Sequence, residues 1–183
     1  MIHMNRRSLD TLRDSDVAIT LADPDSLDCQ LIFCNHEFEA ITGYSEASLL
    51  GRNCRFMQCA DTSRDDVAKV RSAVQRAATV ARCIRNRKKS GKPFWNLLTI
   101  SPIWMDEKRL LIGCQCDLGS RPAHEDIKGY TKRLTHAIEG ASIHVSSAWA
   151  TISASMQLQA MSVFMMRQSQ ILRDTTLRST ESD

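Results

Sequence analysis

Residues 81–118 carry three extended runs, Ala81 to Lys88, Phe94 to Trp104 and Leu110 to Leu118, separated by the turn clusters Ser90-Gly91 and Asp106-Glu107-Lys108. Turns this short join only antiparallel neighbours, so the three runs predict a meander. A second pair precedes it: Val17 to Leu21 leads through Asp23-Pro24-Asp25-Ser26 into Gln30 to Cys34, a strand, turn and strand. Between the two groups lie helical signals. His36 to Thr42 stops at Gly43, Ser45 opens a run to Gly51, and Asp61-Thr62-Ser63 starts a helix with Val67, Val70 and Val74 at helical spacing. The order predicts an α+β fold: a five-stranded antiparallel sheet with short helices gathered on one face and a pocket between them.

Two clusters of chemistry face that pocket. In the hairpin, pairing centred on Gly91 sets Asn86 opposite Asn96, so two carboxamides share a face with Leu98 and Ile100. On the last strand Gln115 and Gly113 have the same parity and add a third carboxamide. Three carboxamides over an apolar floor suit a heteroaromatic ring with alternating donors and acceptors. The second cluster is Gly51-Arg52-Asn53-Cys54-Arg55-Phe56-Met57-Gln58, which packs a thiol, two carboxamides and two guanidinium groups into eight residues. Arg55 and Arg71, the latter on the predicted helix after Ser63, can converge on one phosphate through planar, bidentate contacts.

The flanks differ in character. Residues 1–15 set Met4, Leu9 and Leu12 among charges and predict a short cap helix docked on the domain at 16–119. After Arg121-Pro122, apolar residues from Ile127 to Met156 step by three or four, and Met161 to Met166 widen the face, which predicts a helical extension over 120–178. Gly140 followed by Ser142 favours a hairpin of two helices over one long helix. Residues 179–183 are expected to be disordered.

Composition excludes several classes. An excess of 24 basic over 21 acidic residues is too small for a dedicated nucleic-acid binder. Seven cysteines form no Cys-x-x-Cys pair and the five histidines have no ligand spacing, so neither a disulfide framework nor a metal site is expected. With no apolar run of signal or membrane length, a cytoplasmic protein without membrane contact is expected. No Ser-His-Asp pattern, phosphate loop or kinase signature is present, so the chain is not expected to be an enzyme.

Gly51 to Gln58 resembles the flavin-binding signature of light-oxygen-voltage (LOV) photosensors, a branch of the PAS superfamily. The resemblance spans about residues 17 to 118 and includes Phe33-Cys34-Asn35, Ile41-Thr42-Gly43-Tyr44-Ser45, Lys89 to Leu97 and Ile112-Gly113-Cys114-Gln115. It implies a PAS/LOV fold and a short LOV blue-light photoreceptor with FMN as cofactor. Cys54 is then the photoreactive residue that bonds the flavin reversibly; Asn53 and Gln58 border the ring, Arg55 and Arg71 hold the phosphate, and Asn86, Asn96 and Gln115 bond its polar edge. Thr20, Met57, Leu98, Ile100 and Gly113 complete the implied site. Three of these depart from the usual pattern: Met57 replaces leucine, Thr20 valine, and Leu98 an aromatic residue. The signal is expected to pass through Gln115 and the sheet to the terminal helices. It is read out as light-modulated homodimerisation or higher self-association through the tail, or by an unknown signalling partner in trans. The rival readings are a light-independent PAS module that binds a ligand or a protein, and a thiol redox sensor.

Overall fold

The structure is a computed structural model and describes residues 10, 12–15, 17–105 and 108–119. The expected helical extension, the alternatives at Gly140 and the terminal tail lie outside the described residues, as does most of the expected cap helix.

Five strands form one antiparallel sheet: β1 Ala18–Asp23, β2 Gln30–Cys34, β3 Val80–Arg87, β4 Pro93–Met105 and β5 Lys108–Asp117, in the order β2-β1-β5-β4-β3. The last strand therefore returns beside the first, which places Gln115 and Thr20 on neighbouring strands. Between β2 and β3 run α1 His36–Thr42, α2 Glu46–Leu49, a 3-10 turn Cys54–Met57 and α3 Arg64–Gln75. Each has a local cause. The Asn35 side chain caps α1 and Gly43, at φ 76°, ends it in the left-handed conformation that glycine adopts without strain. Ser63 caps α3 by accepting from the Asp66 amide, and Asp65 and Asp66 complement the dipole in its first turn.

The hairpin register differs from the sequence expectation. Ile84 faces Asn96 and Asn86 faces Phe94, so the pairing is centred on Ser90 and not on Gly91. The turn explains the shift: the Lys88 amide bonds the Lys92 carbonyl, the Gly91 amide bonds the Lys88 carbonyl, and Gly91, at φ 86°, is the last of three loop residues. A three-residue hairpin loop needs its left-handed residue in that place. A shift of two in the pairing preserves parity, so the two asparagines still share a face and meet diagonally.

The two faces of the sheet carry separate cores. Ile19, Leu21, Phe33, Ile103, Leu110, Ile112 and Cys114 cluster on one side with Leu12, a fully buried residue of the N-terminal segment. Ala18, Leu31, Cys34, Phe38, Leu49, Met57 and Phe94 cluster on the helix side. Leu31 and Phe33 have equal parity yet join different cores, because the β1–β2 register slips between Leu21 and Ala22.

Candidate functional site

A cavity of about 450 Å³ lies between the sheet and the helices. All the residues expected in the site line it: Thr20, Asn53, Cys54, Arg55, Met57, Gln58, Arg71, Asn86, Asn96, Leu98, Ile100, Gly113 and Gln115. Val67, Val70 and Val74, at helical spacing on α3, form part of its apolar wall.

The polar wall is a chain of carboxamides. Asn96 Nδ2 donates to Asn86 Oδ1 at 3.0 Å, and Asn86 Nδ2 donates onward to the Met57 carbonyl at 3.4 Å. Gln58 also bridges to Asn86 as an isolated antiparallel pair, so the 3-10 turn is stitched to β3. On β5, Gln115 Nε2 donates to Thr20 Oγ1 at 3.2 Å. With those arms engaged, Asn96 Oδ1 and Gln115 Oε1 are buried without hydrogen-bond partners. Each such acceptor costs about 1–3 kcal/mol unless a donor meets it, so the wall fits a planar ligand that carries N–H groups.

Cys54 opens the 3-10 turn on the opposite wall. Asn53 fixes the start of that turn: its Oδ1 accepts from the Arg55 amide at 2.9 Å and its Nδ2 donates to the Asp28 carbonyl at 2.6 Å. Its carboxamide is thus engaged by protein while the residue lines the cavity, the place expected of one that borders a ring. Burial pushes the Cys54 thiol up to about 12, with the nearby Cys29 and Cys34 adding to the shift and the Thr20 hydroxyl offsetting part of it. Cys54 is therefore a protonated thiol over the whole physiological range.

Arg55 and Arg71 line the same cavity. Arg55 has a further partner that sequence reasoning missed, since both Nη1 and Nη2 fork onto Asp28 Oδ1. Asp28 belongs to the β1–β2 loop, which was legible only as a turn; nothing in the local pattern pairs it with an arginine 27 residues away. Leu27 beside it is fully exposed at the cavity wall. Among the described residues no helix is long and apolar enough to cross a membrane.

A five-stranded antiparallel sheet with a helix-walled polar and apolar cavity on one face is an architecture suited to enclosing a planar ligand. A model described as "PAS domain" matches residues 16–118. The chain belongs to the PAS domain family, and within it to the LOV domains. It is 40% identical over 111 residues to a blue-light photoreceptor of Listeria monocytogenes, a match that covers 60% of this chain and 44% of that protein. Over 111 residues it is 38% identical to phototropin-2 of Oryza sativa subsp. japonica, covering 60% of this chain and 12% of the relative. The chain thus spans less than half the length of either curated relative. Among solved structures, the LOV domain of an Erythrobacter litoralis blue-light activated histidine kinase is similar at 36% identity and TM-score 0.55, over 57% of this chain and 98% of that one. The light-state dimer of the fungal photoreceptor Vivid is similar at 34% identity and TM-score 0.53, over 57% and 79%.

Proposed function

We propose that this chain is a blue-light sensor that holds FMN in the cavity and uses Cys54 as its photoreactive residue. The observation that carries the reading is the meeting, in one LOV-domain cavity, of the Cys54 thiol with two buried acceptors, Asn96 Oδ1 and Gln115 Oε1, that have no protein partner. The Listeria relative named as a blue-light photoreceptor supports it. Bound flavin supplies absorption of blue light and a ring carbon to which a sulfur can bond reversibly.

The chain's own residues do the rest. Leu98, Ile100, Val70 and Leu111 exclude water from the ring, Asn86 and Asn96 fix its polar edge, and Arg55 and Arg71 meet the phosphate. Cys54 brings its proton with it, because burial holds the thiol neutral, and so sulfur and proton are delivered together. A thiolate redox sensor needs the opposite shift, which disfavours that alternative. Gln115 can offer either end of its amide to a neighbour whose protonation changes. Its place on β5, bonded to β1 and β4, connects the cavity to the whole sheet.

In this reading residues 16–119 sense, residues 1–15 cap, and residues 120–178 report by light-dependent self-association, with no catalysis by the chain itself. The Met-rich apolar stripe of 120–178 and the dimeric state of Vivid under light support the last step. Heating the purified full chain should release one FMN per protein, identified by mass. A colourless protein that releases no flavin would overturn the reading. Size-exclusion profiles in the dark and under blue light test the output, and identical monomeric profiles would refute it.

A further inference from the structure

Thr20 and Gly113 face each other across β1 and β5, and Gln115 faces Ala18 two positions along. The three side-chain positions Thr20, Gly113 and Gln115 all line the cavity. Thr20 Oγ1 accepts from Gln115 Nε2 at 3.2 Å and itself donates to the Gly113 carbonyl at 3.4 Å. Both side chains are 3% exposed, and the other arm of the amide, Gln115 Oε1, has no partner.

Gly113 admits this contact. A Cβ at that position would meet Thr20 Oγ1 at 2.6 Å and Gln115 Nε2 at 2.9 Å, closer than real Cβ atoms come to either. The backbone there has an ordinary φ, so the glycine is required by the approach of two polar atoms and not by a turn.

We infer that Thr20 is a positioning residue for Gln115, with a hydroxyl that serves the amide in both of its orientations. In the orientation described, the hydroxyl oxygen accepts from Nε2. If the amide turns over, the same hydroxyl releases the Gly113 carbonyl, a long bond, and donates to Oε1. Only the hydroxyl rotor moves, and no proton changes owner. Valine has the shape of threonine and neither capacity, and would leave one buried amide arm without its β1 partner in either orientation. Thr20 thereby gives the Gln115 amide a hydrogen bond in each orientation, where an apolar neighbour gives it one in neither.

The contact itself is independent of the ligand, whereas its consequence for a light response rests on the proposed flavin reading; the two are tested separately. The first measurement follows the Gln115 side-chain amide by nitrogen-15 NMR in the full chain without ligand, for wild type, Thr20→Ser and Thr20→Val. The contact predicts moved resonances and hydrogen exchange faster by on the order of tenfold in Thr20→Val, with Thr20→Ser close to wild type. Wild-type behaviour in Thr20→Val, or an equal change in both variants, would overturn it. The second measurement is the light-minus-dark infrared spectrum of flavin-loaded protein. The Gln115 carbonyl band should move to higher frequency in Thr20→Val and stay in place in Thr20→Ser; an unmoved band in Thr20→Val would overturn the switching role. Failure of every variant to take up flavin would refute the flavin reading and leave the NMR result to decide the contact.

Discussion

Replacing Asn35 with alanine should cost more stability than removing any cavity-lining polar group, because this one side chain holds three parts of the fold together. Its Oδ1 accepts from the Ile19 amide at 2.8 Å and the Phe38 amide at 3.2 Å. Its Nδ2 reaches the carbonyls of Val17 at 2.7 Å, Leu12 at 3.2 Å and Ser15 at 3.3 Å. The side chain thus joins β1, the start of α1 and the N-terminal segment, and it is 1% exposed. Loss of the helix cap costs about 1 kcal/mol. The buried Ile19 amide, left unpaired, adds about 1–3 kcal/mol. The expected total is about 2–4 kcal/mol, or a melting temperature lower by roughly 10–20 °C for a domain of this size. Urea and thermal unfolding followed by far-ultraviolet circular dichroism measure it. Asn35→Ser separates the terms: a hydroxyl can cap Phe38 but is too short to reach the three carbonyls, so it should recover only about 1 kcal/mol. A change below about 0.5 kcal/mol in Asn35→Ala would refute the reasoning, since that is the scatter of ordinary surface substitutions.

Gly113→Ala should destabilise by about 1–3 kcal/mol through overpacking against Thr20 and Gln115, and a Gly113→Ala/Thr20→Ala double variant should regain part of it; additive costs in urea unfolding would count against the crowding argument. Asp28→Asn removes the carboxylate that competes for Arg55, so FMN affinity should rise by up to about fivefold, the limit for a half-exposed ion pair, with riboflavin unaffected. Fluorescence titration with both ligands reads the ratio, and an equal gain for both would contradict the role of charge. Burial pushes the Cys114 thiol up to about 12, so the folded chain keeps that proton where the unfolded chain, at about 8.5, has lost it. The stability from the neutral thiol is complete below about pH 8.5 and falls by about 1.4 kcal/mol per pH unit as pH rises toward 12. Unfolding of Cys114→Ala between about pH 9 and 11 should show a slope shallower by that amount, and equal slopes would refute it.

The elements were legible because each is written locally. Strand ends predicted from periodicity fall within two residues of β1, β2, β3 and β4, and within two of β5, while Gly43 and Ser63 bound helices by the chemistry of their own side chains. The register of the β3–β4 hairpin was not legible from composition: Ser90-Gly91 announces a turn, and whether Gly91 is its centre or its last residue depends on the loop length. The site is indifferent to that shift, because a change of two in the register keeps side chains on their face. What local patterns could not give were the long-range partners. Asp28 claims Arg55, the Asp28 carbonyl claims Asn53, and Asn35 gathers Leu12, Ser15, Val17, Ile19 and Phe38 from three segments. The sequence named Asn53 and Arg55 as residues that meet a ligand; the fold shows that each also holds the β1–β2 loop against the 3-10 turn.

The central claim is that Cys54 is a neutral thiol poised in a flavin cavity and used for reversible photochemistry. Absorption spectra of the purified full chain and of Cys54→Ala, taken before, during and after blue illumination, test it most directly. The account predicts that wild type is yellow, bleaches under blue light and recovers in the dark, and that Cys54→Ala is equally yellow and does not bleach. A colourless wild type, or a Cys54→Ala variant that bleaches and recovers as wild type does, would contradict it.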